Sequence, residues 1–120
     1  MRKRRKVISL GLAVGLLLLL GAGCIPGEVA RLELTIMDSR LLVSFGNLWE
    51  ITGEAVNTGN VEIGYVEIWA FVYNESDDLI GKVYTNNLNI AVGATWHFMI
   101  YFLEEASKPD SYRLEISELS

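Results

Sequence analysis

The twelve residues Trp49-Glu50-Ile51-Thr52-Gly53-Glu54-Ala55-Val56-Asn57-Thr58-Gly59-Asn60 restrict the fold of this chain more than any other stretch. Trp49, Ile51, Gly53, Ala55 and Asn57 share one side of an extended backbone, while Glu50, Thr52 and Glu54 share the other. That is the period-2 alternation of a strand with one dry face and one wet face. Asn57-Thr58-Gly59-Asn60 then stops the strand and turns the chain, because these residues tolerate left-handed backbone angles and can bond their own main chain.

The same alternation recurs on either side. Leu32, Leu34 and Ile36 alternate with Arg31, Glu33 and Thr35 as a first strand; Asp38-Ser39-Arg40 predicts a turn, and Leu41 to Phe45 a second short extended piece broken by Gly46-Asn47. Val61 to Tyr73 is the longest apolar run after residue 24. Val66, Ile68, Ala70 and Val72 lie on one face of it, and Tyr65, Trp69, Phe71 and Tyr73 on the other, interrupted only by Glu67. Two readings fit: a strand buried on both sides, or a central strand whose second face is an exposed aromatic platform. Asn74 to Asp78 is a polar loop, Leu79 to Thr85 the returning partner, Asn86-Asn87 the start of a crossing, and Leu88 with Ile90 a short apolar step. Val92-Gly93-Ala94 turns the chain into Thr95 to Phe102, where Trp96, Phe98, Ile100 and Phe102 face one way and Thr95, His97, Met99 and Tyr101 the other. Tyr112, Leu114 and Ile116 line a last strand. About seven short strands, with no amphipathic helix after residue 24, predict an all-β chain: an immunoglobulin-like antiparallel β-sandwich over residues 31–120. Trp49, Trp96 and Phe98 are its expected core anchors.

The amino terminus is read apart from this domain. Arg2 to Lys6 form a cationic block and Val7 to Leu20 an apolar run of fourteen residues, the two regions of a signal peptide. Leu20-Gly21-Ala22-Gly23-Cys24 resembles a lipobox, and Cys24 is the only cysteine of the chain. The resemblance implies cleavage after residue 23, attachment of membrane lipid at Cys24, and a short tether over 24–30 that includes Pro26-Gly27. An uncleaved anchor helix is the alternative, since the nineteen residues Val7 to Ile25 are long enough to span ~30 Å of hydrocarbon. Either way the domain is expected at the cell membrane on the extracytoplasmic side, with the cationic end inside. Residues 24–120 carry five basic residues against fifteen acidic ones, a net charge of −10. Such a surface cannot neutralise phosphates, so nucleic acid is excluded as a partner.

Several elements together resemble the FxLYD family of small β-sandwich modules in exported and lipid-anchored prokaryotic proteins. They are Gly53-x-x-x-Asn57-Thr58-Gly59, the strand Val66 to Asn74 (Val-Glu-Ile-Trp-Ala-Phe-Val-Tyr-Asn), Leu79-Ile80-Gly81, and Val92-Gly93-Ala94-Thr95. The likeness covers about Leu48 to Ile116. Val72, Tyr73 and Asn74 stand where the family has leucine, tyrosine and aspartate, Ala70 where it has phenylalanine, and Val92 where it has proline. The resemblance implies a fold and a location and transfers no catalytic residue.

The side chains themselves point away from catalysis. His97 is the only histidine and no cysteine follows Cys24, so neither a metal-ligand set nor a histidine-activated nucleophile can be assembled from them. Glu50 and Glu54 share a strand face and read as a solvated pair. Asn74, Glu75, Asp77 and Asp78 lack EF-hand spacing and read as an acidic hairpin loop, within which Asn74-Glu75-Ser76 is an N-glycosylation acceptor pattern. No cofactor and no metal are expected. What remains is the row Tyr65, Trp69, Phe71 and Tyr73, read either as core or as a surface for a partner. The expectation is a non-enzymatic, membrane-tethered module for protein interactions or adhesion at the cell envelope. The alternative is a binding protein for a small ligand, a sugar or a metal ion.

Overall fold

The structure, a computed structural model, describes residues 29–120 and, nearer the amino terminus, the backbone of residues 7–8 and 14–15. Six strands make up the two main sheets of the domain: β1 (Leu34–Phe45), β2 (Leu48–Asn57), β3 (Ile63–Tyr73), β4 (Leu79–Ile90), β5 (Thr95–Leu103) and β6 (Ser111–Ser117). They form two antiparallel sheets of three strands, in the orders β1-β2-β5 and β6-β3-β4. The core lies between them. Ile51, Ala55, Phe98 and Ile100 come from one inner face, and Val66, Ile68, Ala70, Val72 and Leu114 from the other. Trp49 is buried, whereas Trp96 is half-buried and packs edge-on against Phe98 with ring centroids 5.8 Å apart.

Two sequence expectations are corrected. Asp38-Ser39-Arg40 is no turn, because β1 runs through it as a single twelve-residue strand. Ile36 pairs with Ala55 and Asp38 with Glu54, so Met37 is an extra residue that bulges out and stands exposed. A bulge of one residue reverses which parity faces inward: Leu34 and Ile36 are buried before it, and Ser39 after it. Likewise Asn86-Asn87 is no crossing, since β4 continues from Leu79 to Ile90 in register with β3. Two pairs of expected pieces thereby become single strands.

The leader, expected to be helical, is described only at Val7–Ile8, which lies parallel to Arg113–Leu114, and at Val14–Gly15, which pairs with Arg31–Leu32. At both places the backbone is extended. The rest of that expectation, with Cys24 and the cleavage point, lies outside the described residues. Among the described residues no helix is long and apolar enough to cross a membrane.

A polar bond between side chains crosses the core. Ser39 Oγ on β1 and the Tyr112 hydroxyl on β6 lie 2.7 Å apart, both side chains buried. Burial holds the Tyr112 phenol above its ordinary value of 10.0, because the phenolate would have to be desolvated; the bond from Ser39 opposes this only in part. The unfolded chain therefore ionises first as pH rises. The stability Tyr112 contributes is complete below about pH 10 and is lost as pH climbs through its raised folded value. Melting curves taken between about pH 9 and pH 11 should fall more steeply for the wild type than for Tyr112→Phe. Parallel slopes for the two chains would refute this.

Candidate functional site

Strand β3 decides which of its two apolar rows faces the core. Val66, Ile68, Ala70 and Val72 are fully buried against the other sheet, so Tyr65, Glu67, Trp69, Phe71 and Tyr73 project from the outer face of β6-β3-β4. They are half-buried there rather than bare. The cover comes from the register, which sets Tyr84 and Glu115 on either side of Trp69, and Lys82 and Arg113 on either side of Phe71.

The Trp69 and Tyr84 rings stack at 4.5 Å with 22° between their planes. Lys82 Nζ lies 5.2 Å from the Trp69 centroid and 5.7 Å from that of Phe71, while the Arg113 guanidinium sits 4.2 Å from Phe71. Cations over aromatic faces are drawn to the ring quadrupole, and the methylene stems of these side chains cover apolar surface beneath their charged heads. Carboxylates tie the row together. Glu67 accepts from the Tyr65 hydroxyl and from Trp69 Nε1, each at 2.7 Å, and Arg113 donates to Glu115. The Glu67 bond raises the Tyr65 phenol above its ordinary value, since that carboxylate holds the neutral phenol's proton. Arg113, bonded to Glu115 and then to Tyr73, is held protonated more firmly than usual. The result is a flat aromatic floor at Trp69 and Phe71, a shallow depression above it, and a rim of Glu67, Lys82, Glu115 and Glu118.

The other predicted residues lie elsewhere. Asn74 Oδ1 accepts from the backbone N–H groups of Ser76 and Asp78 at 2.9 Å each, and its Nδ2 donates to Ser107. The amide thus folds its own loop, with Glu75, Asp77 and Asp78 exposed around it. Among the described residues no group of three His, Cys, Asp or Glu side chains is placed to hold a metal ion. His97 is exposed on the outer face of β5, with Nδ1 3.5 Å from Glu54 on the neighbouring strand. Glu50 points outward from β2 opposite Tyr101.

The residues that sequence reasoning passed over lie on the outer face of β1-β2-β5. Phe45, at the tip of the β1–β2 hairpin, is 82% exposed, and Met99, Tyr101 and Leu103 stand out along β5 at 44%, 51% and 53%. The Tyr101 hydroxyl donates to Met99 Sδ at 2.7 Å. The signal was present, since the face of Thr95 to Phe102 opposite the aromatic core row is apolar where a wet face would be polar. Compared with known protein families, with characterised proteins and with solved structures, the chain gives no match.

Proposed function

We propose that this chain is a non-enzymatic recognition module held on the outer side of the cytoplasmic membrane, which binds an envelope protein through the outer face of β6-β3-β4. Lipid on Cys24, or an uncleaved leader helix, would supply the tether. The immunoglobulin-like, FxLYD-type reading fits the strand orders β1-β2-β5 and β6-β3-β4. The observation that carries the functional reading is the Trp69–Tyr84 stack beside Phe71, which lies between Lys82 and Arg113. Tryptophan, tyrosine and arginine are enriched among the few residues that dominate binding energy in protein interfaces, and the two aromatic ones bring a large contact area at little entropic cost.

Tyr84 is the cleaner probe of the two rings, being 49% exposed on an edge strand. With the full chain in membrane vesicles, Tyr84→Ala should weaken capture of the envelope partner about thirtyfold, a hot-spot loss of about 2 kcal/mol. Its melting temperature should stay within about 5 °C of wild type, as a surface truncation costs little. Capture unchanged by Tyr84→Ala and by Trp69→Ala would sink the proposal.

A second reading, capture of a sugar, is favoured by the depression over Trp69 and Phe71 with Glu67, Glu115 and Glu118 around it. A pyranose ring presents C–H groups to an aromatic floor and hydroxyls to carboxylates. In the same vesicle assay a soluble glycan that displaces the protein partner would move the assignment to this reading.

A further inference from the structure

Exposed sheet edges invite other strands, and proteins ordinarily blunt them with charges, prolines or bulges. The edges of this domain differ in how far they are blunted. β1 has register breaks at Ile36/Asp38 and Val43/Phe45 and carries Asp38 and Arg40. β4 carries Lys82, and Asn89 within it has a φ of 55°. β6 carries Arg113 and Glu115, and Val7–Ile8 runs alongside it. β5 has none of these devices. Thr95-Trp96-His97-Phe98-Met99-Ile100-Tyr101-Phe102-Leu103 contains no Lys, Arg, Asp, Glu, Pro or Gly. Its pairing with β2 is unbroken from Leu48↔Leu103 to Val56↔Thr95.

The flanking hydrogen bonds give the phase of this edge. Asn57 N–H donates to the Ala94 carbonyl at 3.1 Å, and Glu104 N–H to the Asn47 carbonyl at 2.8 Å. Backbone groups in an antiparallel ladder alternate in direction. Even-numbered residues of β5 therefore turn towards β2, and Thr95, His97, Met99, Tyr101 and Leu103 turn their N–H and C=O groups to the open side. Among the described residues no backbone partner occupies that side.

We propose that β5 is the surface through which two copies of this chain pair, antiparallel, about a twofold axis at Met99. The two sheets then join as one of six strands, β5 against β5. A twofold at Met99 sets odd-numbered residues against odd-numbered ones, as the phase requires. Met99 meets its own copy, His97 meets the partner's Tyr101, and Thr95 meets the partner's Leu103. All nine residues are in register, with about ten hydrogen bonds between the copies. Charge selects the occupant. Residues 24–120, with a net charge of −10, repel their own kind over most of their surface, whereas β5 holds no carboxylate, and of the two beside it on the outer face of β2 Glu54 faces His97 and Glu50 lies opposite Tyr101. The large apolar side chains among those that would meet, Met99, Tyr101 and Leu103, are about half exposed in the single chain. Each protomer's sheet edge supplies what the other lacks, which is the self-complementarity a twofold interface demands.

The full chain in detergent should sediment as a dimer at about 100 µM, a concentration that populates an interface of micromolar affinity. Met99→Lys places two ammonium groups against each other at the axis and should return the chain to a monomer, with its melting temperature close to wild type because Met99 is exposed. In a Cys24→Ser background, with dissolved oxygen and a copper catalyst as oxidant, Met99→Cys should form an intermolecular disulfide, since its copy stands directly opposite. Val92→Cys, exposed but off the strand, should not. A wild-type chain that stays monomeric at this concentration overturns the proposal. So does a dimer that survives Met99→Lys, or a cross-link that forms as readily from Val92→Cys as from Met99→Cys.

Discussion

Asn57→Ala is expected to destabilise the domain by about 3 to 4 kcal/mol, the cost of leaving several buried polar groups without their partner. Asn57 is 1% exposed at the end of β2. Its Nδ2 donates to the Val61 and Ile90 carbonyls at 2.9 Å each, and its Oδ1 accepts from Gly59 N–H at 2.9 Å. The main chain of the same residue binds the next turn as well, donating to the Ala94 carbonyl and accepting from Gly93 N–H. One side chain thus fixes the exit of β2, the turn that follows, and the end of β4. Alanine leaves two carbonyls and one N–H with no side chain to meet them, and each such buried group costs about 1 to 3 kcal/mol, partly relieved where water enters. For a domain of this size that loss corresponds to a fall in melting temperature of about 15 to 25 °C. Asn57→Asp should do no better, because a carboxylate would point lone pairs at the Val61 and Ile90 carbonyls. Thermal unfolding followed by circular dichroism checks both. A fall of less than about 5 °C for Asn57→Ala would remove Asn57 from this role.

The same residue shows why parts of the fold could be read from the sequence. In β2 and β6 one face is apolar and the other largely polar, so alternation along a single strand states the answer. It fails in β1 at Met37, where one extra residue flips the parity and imitates a turn. It fades in β4, an edge strand with few buried positions, so that Asn86 and Asn87 looked like an ending. For β3 the pattern gave two rows and no means of choosing, since both are apolar. The choice depends on what packs from far along the chain: Leu114 and Phe98 in the core, and Tyr84, Lys82 and Arg113 over the aromatic row. Register between distant strands leaves no local mark. The outer row of β5 is legible in the sequence, because Met99 and Tyr101 stand where a solvent-facing row is ordinarily polar.

Gly53→Val should have an effect as large as that of Asn57→Ala, for a steric reason. Gly53 sits on the inner face of β2, paired with Ser39 on one side and Phe98 on the other. A Cβ built there overlaps both the Asp38 carbonyl oxygen and the ring of Phe98. Neither can give way freely, since the carbonyl belongs to the backbone of β1 just after its bulge, and Phe98 is 2% exposed in the centre of the core. Overpacking a core ordinarily costs about 1 to 3 kcal/mol, and a backbone obstacle puts Gly53→Ala at the top of that range and Gly53→Val beyond it. The two obstacles can be told apart. In Gly53→Ala/Phe98→Leu the ring is gone, so the double variant should be more stable than the sum of the single changes allows, by about 1 to 2 kcal/mol. Strict additivity would mean that the ring yields and only the β1 backbone resists. A Gly53→Ala chain that melts with wild type would mean that β1 and β2 do not approach as closely as the structure has them. The expected outcome ties the Gly53-x-x-x-Asn57 spacing to construction, with Gly53 letting Phe98 lie flat on β2 and Asn57 locking the strand's exit four residues later.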